Sequence, residues 1–514
     1  MIRSHLLAVI TALVSITSCQ LYAAPYSTNV LVSGTSVSFI LNEPADTLLY
    51  RVNSGAWQPL DGSSKGTKSF SLGAATDTFS IVAGKNDPLG YTIPTGGAAV
   101  AATAAGLGQA TNPGGYNLIS NDTDPLSRYN QPRGVNVSTN PNAPNFGTTY
   151  ISNSAAGSTL ASSGSGVIRA LTDGMYAVRA DQSDAFGQGN TARNPGGVFV
   201  ASSSTPWRNV VGPDGQVYVA DWTDSNGNVY MLNPDLTTAT NTLNGIGGPS
   251  AVPATQKHGS VQALYVEGSL ANGDLVLYTI DEDLTELTGT GSGNNTIKNN
   301  LWRYNIGGSI PAGGFTGAPT KINGAGSFLI NATDDVQRGA DGKFYVSQLR
   351  SNGTDVGSVY VLDASGTIVF NSLTETRTLL ADNLAADILR NTQGLAVSPD
   401  QKWLATVLTN SDIAVIPLIN GIPDLANRLH INSASPDTNT GTDIAFDAAG
   451  NLHYVSRGQE MYRVLSPGGV TYARTDFDGT NYSFAIGSTA IPEPSAMVLA
   501  GLALLGLAGL ARRR

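Results

Sequence analysis

Short runs of Val, Ile, Leu, Tyr and Phe, often alternating with polar residues and set apart by Gly, Asn, Asp and Pro, recur through most of this 514-residue chain. Such runs predict β-strands joined by turns, and helical periodicity is absent away from the two ends. One unit returns: a turn, a strand carrying an aromatic or aliphatic pair, a polar loop, then a second strand. It reads "GPDGQVYVADWTDSNGNVYMLNPD" from Gly212, "GADGKFYVSQLRSNGTDVGSVYVLDASG" from Gly339, "SPDQKWLATVLTNSDIAVIPL" from Ser398 and "DAAGNLHYVSRGQEMYRVLSPGG" from Asp447. Looser copies start at Phe146 and Asn272. Tyr150, Tyr218, Leu277, Tyr345, Leu404 and Tyr454 are taken as equivalent, which gives a period of about 50 to 70 residues, in the range or just above the range of repeat architectures.

A unit of this kind cannot bury both faces of its own sheet, so several must pack side by side. Arranged radially, four-stranded units leave few exposed edges. The Asp-Gly turns supply the positive φ that a tight connection from an innermost strand to its neighbour needs. The expected fold is therefore all-β: a six-bladed β-propeller over residues 133–488, with Gly134 and Asp443 opening its first and last strongly patterned units. A chain of β-sandwiches is the alternative, but each would need about 90 to 100 residues. Ahead of the repeats, residues 24–95 carry alternating strands of a different pattern ("NVLVSGTSVSFILNEPADTLLYRV") and are expected to form a small Ig-like sandwich. Residues 96–132 read as an Ala/Gly-rich linker in which Asn117-Leu118-Ile119 is placed as an outer strand closing the ring.

The repeats resemble those of the NHL and regucalcin/gluconolactonase-like propellers, and the 24–95 segment resembles Ig-like modules of the flagellar hook-capping type. These resemblances imply fold; many functions share the propeller.

The two ends differ from the middle. Met1 to His5 is a short basic stretch, Leu6 to Ile16 an apolar run too short to span, and Leu21-Tyr22-Ala23 offers small-residue cleavage between Ala23 and Ala24, so residues 1–23 read as a signal peptide. Ile16-Thr17-Ser18-Cys19 also resembles a degenerate lipobox. Cys19 is the single cysteine, so cleavage at Ala23 leaves a chain without disulfides. At the other end, Ser495 to Ala511 contains no charge and would make a helix of roughly 25 Å at about 1.5 Å per residue, close to a hydrocarbon core of about 30 Å. Arg512, Arg513 and Arg514 would stop it on the cytoplasmic side. Pro492 and Pro494 keep the segment around Glu493 extended. Pro492-Glu493-Pro494, an apolar run and a terminal Arg cluster resemble the PEP-CTERM sorting signal of Gram-negative bacteria that make exopolysaccharide. The resemblance, over residues 491–514, implies recognition by exosortase, transient anchoring in the inner membrane, removal or exchange of the tail, and a cell-surface or extracellular-matrix destination.

Composition narrows the partners. With 28 Lys and Arg against 38 Asp and Glu the formal charge is −10, so nucleic acid is not an expected partner. Candidate chemistry is thin. Of four histidines, His5 is in the leader, His453 lies inside the strand "NLHYVS", and His258 and His430 belong to no motif. Nucleophile elbow, Cys-His pair and zinc signature are all missing from the sequence. Asp221, Asp224, Asn226 and Asn228 space their oxygens as a calcium loop does but lack the distant bidentate Glu, so Ca2+ is a weak candidate and no other cofactor is expected. Asp281 to Glu286 reads as a solvated acidic loop. Trp207 and Trp222 could stack on a sugar or pack in the core.

Alignment of the copies on their turns puts Arg208, Asp335, Gly394 and Asp443 at one equivalent position, the first residue of each innermost strand. That position is expected at the rim of a central channel, either as an ion-paired plug that fixes sheet order or as a site for a small polar ligand or cation. The function expected from the sequence is a non-catalytic surface or matrix scaffold that binds polysaccharide or another surface protein. The alternative is a secreted metal-dependent hydrolase of the lactonase type.

Overall fold

The structure, a computed structural model, describes residues 24–87, 102–103, 106–107, 110–111, 117–160, 167–200, 204–223, 227–244, 261–281, 300–317, 319–323, 333–349, 356–389, 391–408, 412–431, 441–466 and 469–487. Nearly all of the regular structure there is strand. The α-helix among the described residues, Ser372–Leu380, is capped by the Asn371 side chain, which accepts from Leu373 N. No described helix is long and apolar enough to cross a membrane.

Six antiparallel sheets follow one another along the chain, each wound outward from its first strand. The first contains Pro132–Val137, Thr149–Asn153 and Gly174–Val178; the second Asn209–Val211, Val217–Ala220, Val229–Leu232 and Ala239–Leu243. The third contains Val261–Glu267, Leu275–Asp281, Leu301–Gly307 and Thr320–Lys321; the fourth Thr333–Arg338, Phe344–Gln348, Val359–Leu362 and Ile368–Asn371. The fifth runs from Leu395–Val397 through Trp403–Val407 and Ile413–Ile419 to Leu429–Ile431, and Ala110–Thr111 joins its outer edge in parallel. The sixth runs from Gly441–Phe446 through Leu452–Ser456 and Met461–Ser466 to Asn117–Leu118, a strand that precedes all the others of the ring in sequence. Each first strand lies against the first strand of the next sheet, and that of the sixth lies against that of the first. The result is a closed β-propeller body.

The core explains why the sheets need one another. Six hydrophobic clusters each span a junction between successive sheets. Tyr150 and Met175 of the first sheet meet Val217 and Leu232 of the second, for example. Ile151 and Tyr176 of the first meet Val455 and Tyr462 of the sixth. Alternation along a strand gives each sheet two apolar faces, one for each neighbour.

Apart from a few two-residue strands, the others form a separate two-sheet unit. Ser27–Ser33, Ser36–Leu41 and Gly66–Ser71 make one sheet; Gln58–Pro59, Thr47–Val52, Phe79–Asp87, Gly469–Phe477 and Tyr482–Gly487 make the other. Val37, Phe39, Leu41, Phe70, Phe79 and Ile81 fill the space between them. This corrects the expected boundaries: residues 469–487 do not belong to the ring. Gly469–Phe477 pairs with Phe79–Asp87 without a break, from Gly469↔Asp87 to Phe477↔Phe79. Phe477 and Tyr482 of the hairpin pack against the sandwich core. Tyr26, Phe146, Ala448, Ala449 and Phe484 then seat the unit on the turns of the first and sixth sheets. Asn142 fixes it further, accepting from Tyr482 N at 2.7 Å and donating to Tyr482 O at 2.9 Å.

Candidate functional site

The ring has two ends, one where the first strands begin and one where they turn into the second strands. At the beginning, the ladder shifts by one residue in the first, third, fourth and sixth sheets, between Pro132 and Gly134, Val261 and Ala263, Thr333 and Asp335, and Gly441 and Asp443. Such a bulge re-aims the side chain that follows it. Arg208 and Asp443 meet there at 3.2 Å (Nη1 to Oδ1). Arg208 Nη1 also donates to the carbonyls of Arg133 and Thr442, at 2.7 and 2.6 Å. Asp443 accepts from Val135 N in the first sheet at 2.8 Å, and Asp335 from Leu395 N in the fifth at 2.9 Å. Each carboxylate thus ties its own sheet to the next. Burial pushes the Asp335 carboxyl well above the usual range; the charge of Asp443 adds to this and Arg208 opposes it.

The equivalent position thus brings Arg208, Asp335 and Asp443 within electrostatic reach of one another. It does not place them at an open rim: they are 1%, 4% and 3% exposed. Asp335 and Asp443 follow bulges and accept from backbone N–H groups of the next sheet, while Arg208 donates to backbone carbonyls. Gly394 and Gly134 hold the fifth and first positions because there is no space for more. A Cβ on Gly134 would lie 2.7 Å from Trp207 O, and one on Gly394 would collide with the Asp443 side chain and backbone.

Two residues further along the same strands the arrangement opens. A cavity of about 350 Å³ lies at the turn end, lined by residues from all six first strands. Strand alternation returns the side chains at this second position to the same side: Asn136, Val210, Tyr265, Gln337, Ala396 and Ala445. The small side chains of Ala396 and Ala445 leave the volume, and Val137, Val211, Val397 and Phe446 supply apolar wall. Arg338, the lining cation, is held by Glu267 at 2.5 Å and lies over the rings of Tyr278 and Phe344. Tyr265 is half-buried; desolvation first, then the Glu267 charge, push its phenol up to about 12, so it is a neutral hydroxyl at physiological pH. The lining includes no carboxylate, histidine or cysteine.

The other candidates fall elsewhere. Trp207 is buried, with the Arg133 guanidinium 4.4 Å from its ring centre and Trp222 at 4.3 Å, so it packs the start of the second sheet and presents no open face for a sugar. Asp221 is buried and accepts from Thr223 N and Oγ1 at 2.9 and 2.7 Å, an Asx turn; Asn228 donates to Tyr230 OH at 2.7 Å. Asp224 and Asn226 lie outside the described residues, and no cluster of metal-binding side chains occurs among those described. His453 is buried in a network with Thr149, Tyr462 and Asp447, and His430 bonds Asp412. Ala24 is buried at the seat of the sandwich. Residues 1–23 with Ala23, residues 282–286, and the tail with Pro492, Glu493, Pro494, Arg512, Arg513 and Arg514 lie outside the described residues.

The polar residues of the cavity, Asn136, Tyr265 and Gln337, carry no motif. The signal that could have found them is positional: each lies on a first strand opposite a Tyr of the second, Asn136 to Tyr150, Tyr265 to Tyr278 and Gln337 to Tyr345.

Comparison with known proteins gives one sequence match and several structural ones. Residues 490–514 match the PEP-CTERM protein-sorting motif. No curated protein matches the chain. Among solved structures, a protein of unknown function from Bacteroides thetaiotaomicron is 13% identical, covering 86% of this chain and 98% of its own at a TM-score of 0.40. Virginiamycin B lyase from Staphylococcus aureus is 13% identical, covering 68% of this chain and 97% of its own at a TM-score of 0.37. The WD40 β-propeller domain of Doa1 is 10% identical, covering 68% and 97% at a TM-score of 0.35.

Proposed function

We propose that this protein is exported, sorted by exosortase to the cell surface or extracellular matrix, and displays its body there as a non-catalytic binding scaffold. In this reading the six sheets are the blades of a six-bladed propeller and the two-sheet unit is an Ig-like sandwich. A signal peptide over residues 1–23 directs export, and the tail anchors the chain in the inner membrane until it is processed. The observation that carries the sorting is the match of residues 490–514 to the PEP-CTERM motif. The cavity supports the binding role. Its lining is neutral amide, phenol and apolar side chain, with Arg338 neutralised by Glu267. A general base poised near neutral pH, which a hydrolase would need, has no candidate in that lining.

Fractionation of a producing strain and of the same strain lacking exosortase tests the reading. The parent should hold the protein at the surface or in the matrix, and the mutant should retain it in the inner membrane. Equal distributions in the two strains would refute it.

A further inference from the structure

We propose that the cavity at the turn end of the ring binds a neutral sugar unit, taken end-on from a glycan. This rests on the scaffold reading above and gives it a ligand class. Three polar side chains at one level of the ring reach the cavity from three sheets: Asn136 from the first, Tyr265 from the third and Gln337 from the fourth. The Gln337 amide and the Tyr265 hydroxyl make no hydrogen bond with the described residues. The Asn136 side-chain oxygen accepts from Val211 N at 3.1 Å, which orients the amide, and Asn136 lines the cavity. Half-buried polar groups of this kind need partners, and a ligand can supply them.

The chemistry of those groups selects the ligand. Amide and phenol each combine a donor with an acceptor, as a sugar hydroxyl does. At the same level Val210 separates Asn136 from Tyr265, and Ala396 and Ala445 lie side by side between Gln337 and Asn136; this apolar pair suits the C–H face of a pyranose ring. A charged ligand finds no unpaired opposite charge, because Arg338 is held by Glu267. The volume, at the low end of small-ligand sites of about 300–1,000 Å³, fits a terminal unit and excludes a folded partner. The sandwich is seated on the first and sixth turns at this same end, so the rest of a bound glycan would pass beside it.

The test is titration of the tail-free protein, followed by NMR and calorimetry, with glucose, galactose, mannose and their β-linked disaccharides. Glucuronic acid and glucosamine serve as charged counterparts. At least one neutral sugar should bind and shift the signals of Tyr265 and Gln337. Ala396→Leu, which fills the cavity, and Gln337→Ala, which removes an amide, should each weaken it roughly tenfold, the worth of about one or two hydrogen bonds. Tyr265→Phe provides a nearly isosteric control for any variant that fails to fold. Binding of only the charged sugars, binding of none, or binding that Gln337→Ala and Tyr265→Phe leave unchanged would each overturn the proposal. Surface sorting would stand in all three cases, since it is read from cell fractions.

Discussion

Arg208 is buried and held by the Asp443 carboxylate and two backbone carbonyls, and its energetics follow from that. The attraction between Arg208 and Asp443 offsets a large desolvation cost, so the intact pair contributes little net stability, whereas removing one partner strands the other. Arg208→Met is expected to cost about 3–5 kcal/mol, measured by urea unfolding. A loss within experimental error would mean that the three charges do not share one site. Asp335 gives the pH dependence. Its folded carboxyl titrates well above the usual range, from burial first and Asp443 second. Between the unfolded value, about 3.9, and that raised value, the folded state therefore holds a proton that the unfolded state has released. Stability from this group is present at low pH and lost as pH rises through the folded value. Asp335→Asn removes the titration, so the variant should gain on the parent as pH rises above the unfolded value of about 3.9; parallel curves would contradict the assignment. The alignment of Arg208, Asp335, Gly394 and Asp443 was legible because counting back from the turns needs only the sequence. Their burial was not, because the bulges before Asp335 and Asp443 and the backbone carbonyls around Arg208 leave no mark in residue type.

Among elements, the second strands show how a one-residue slip changes a reading. Tyr150, Tyr218 and Tyr345 lie opposite Asn136, Val210 and Gln337. The residues opposite Tyr265, Ala396 and Ala445 are Tyr278, Ala405 and His453, not the expected Leu277, Leu404 and Tyr454. Adjacent residues in a strand face opposite sides, so each slip exchanges faces. In "NLHYVS" two rings stand side by side, and residue type alone does not say which one matches Tyr345. Tyr345 itself joins two sheets, donating from its hydroxyl to Gly421 O at 3.0 Å. Tyr345→Phe should lower stability by about 1 kcal/mol in chemical denaturation, and no change would mean that water replaces the bond. The sequence places residues 469–487 in the ring, whereas Gly469–Phe477 and Tyr482–Gly487 form a hairpin in the sandwich. Its partner strand, Phe79–Asp87, lies at the far end of the sequence, and local pattern does not encode partners. Phe79 packs on Phe477 with ring centres 5.1 Å apart. Phe79→Ala should cost about 3–5 kcal/mol and release the amides of 79–87 and 469–477 to hydrogen exchange together. Release of one strand without the other would show that the sandwich is not a single cooperative unit.

At the scale of the whole molecule, both arms of the chain come back to one place. The ring is closed by Asn117–Leu118 against Met461–Ser466, and the sandwich by the hairpin that follows. A chain cut within residues 469–487 would therefore lose the sandwich, whereas one cut after Gly487 would keep every described strand. The sorting motif begins at residue 490, so the processing proposed here removes nothing that the described fold uses. The most direct measurement is the intact mass of the protein released from the cell surface of an exosortase-producing host. The account predicts a C-terminus that retains Gly487 and lacks Arg512, Arg513 and Arg514. A surface form ending at Arg514, or one truncated before Gly469, would contradict it.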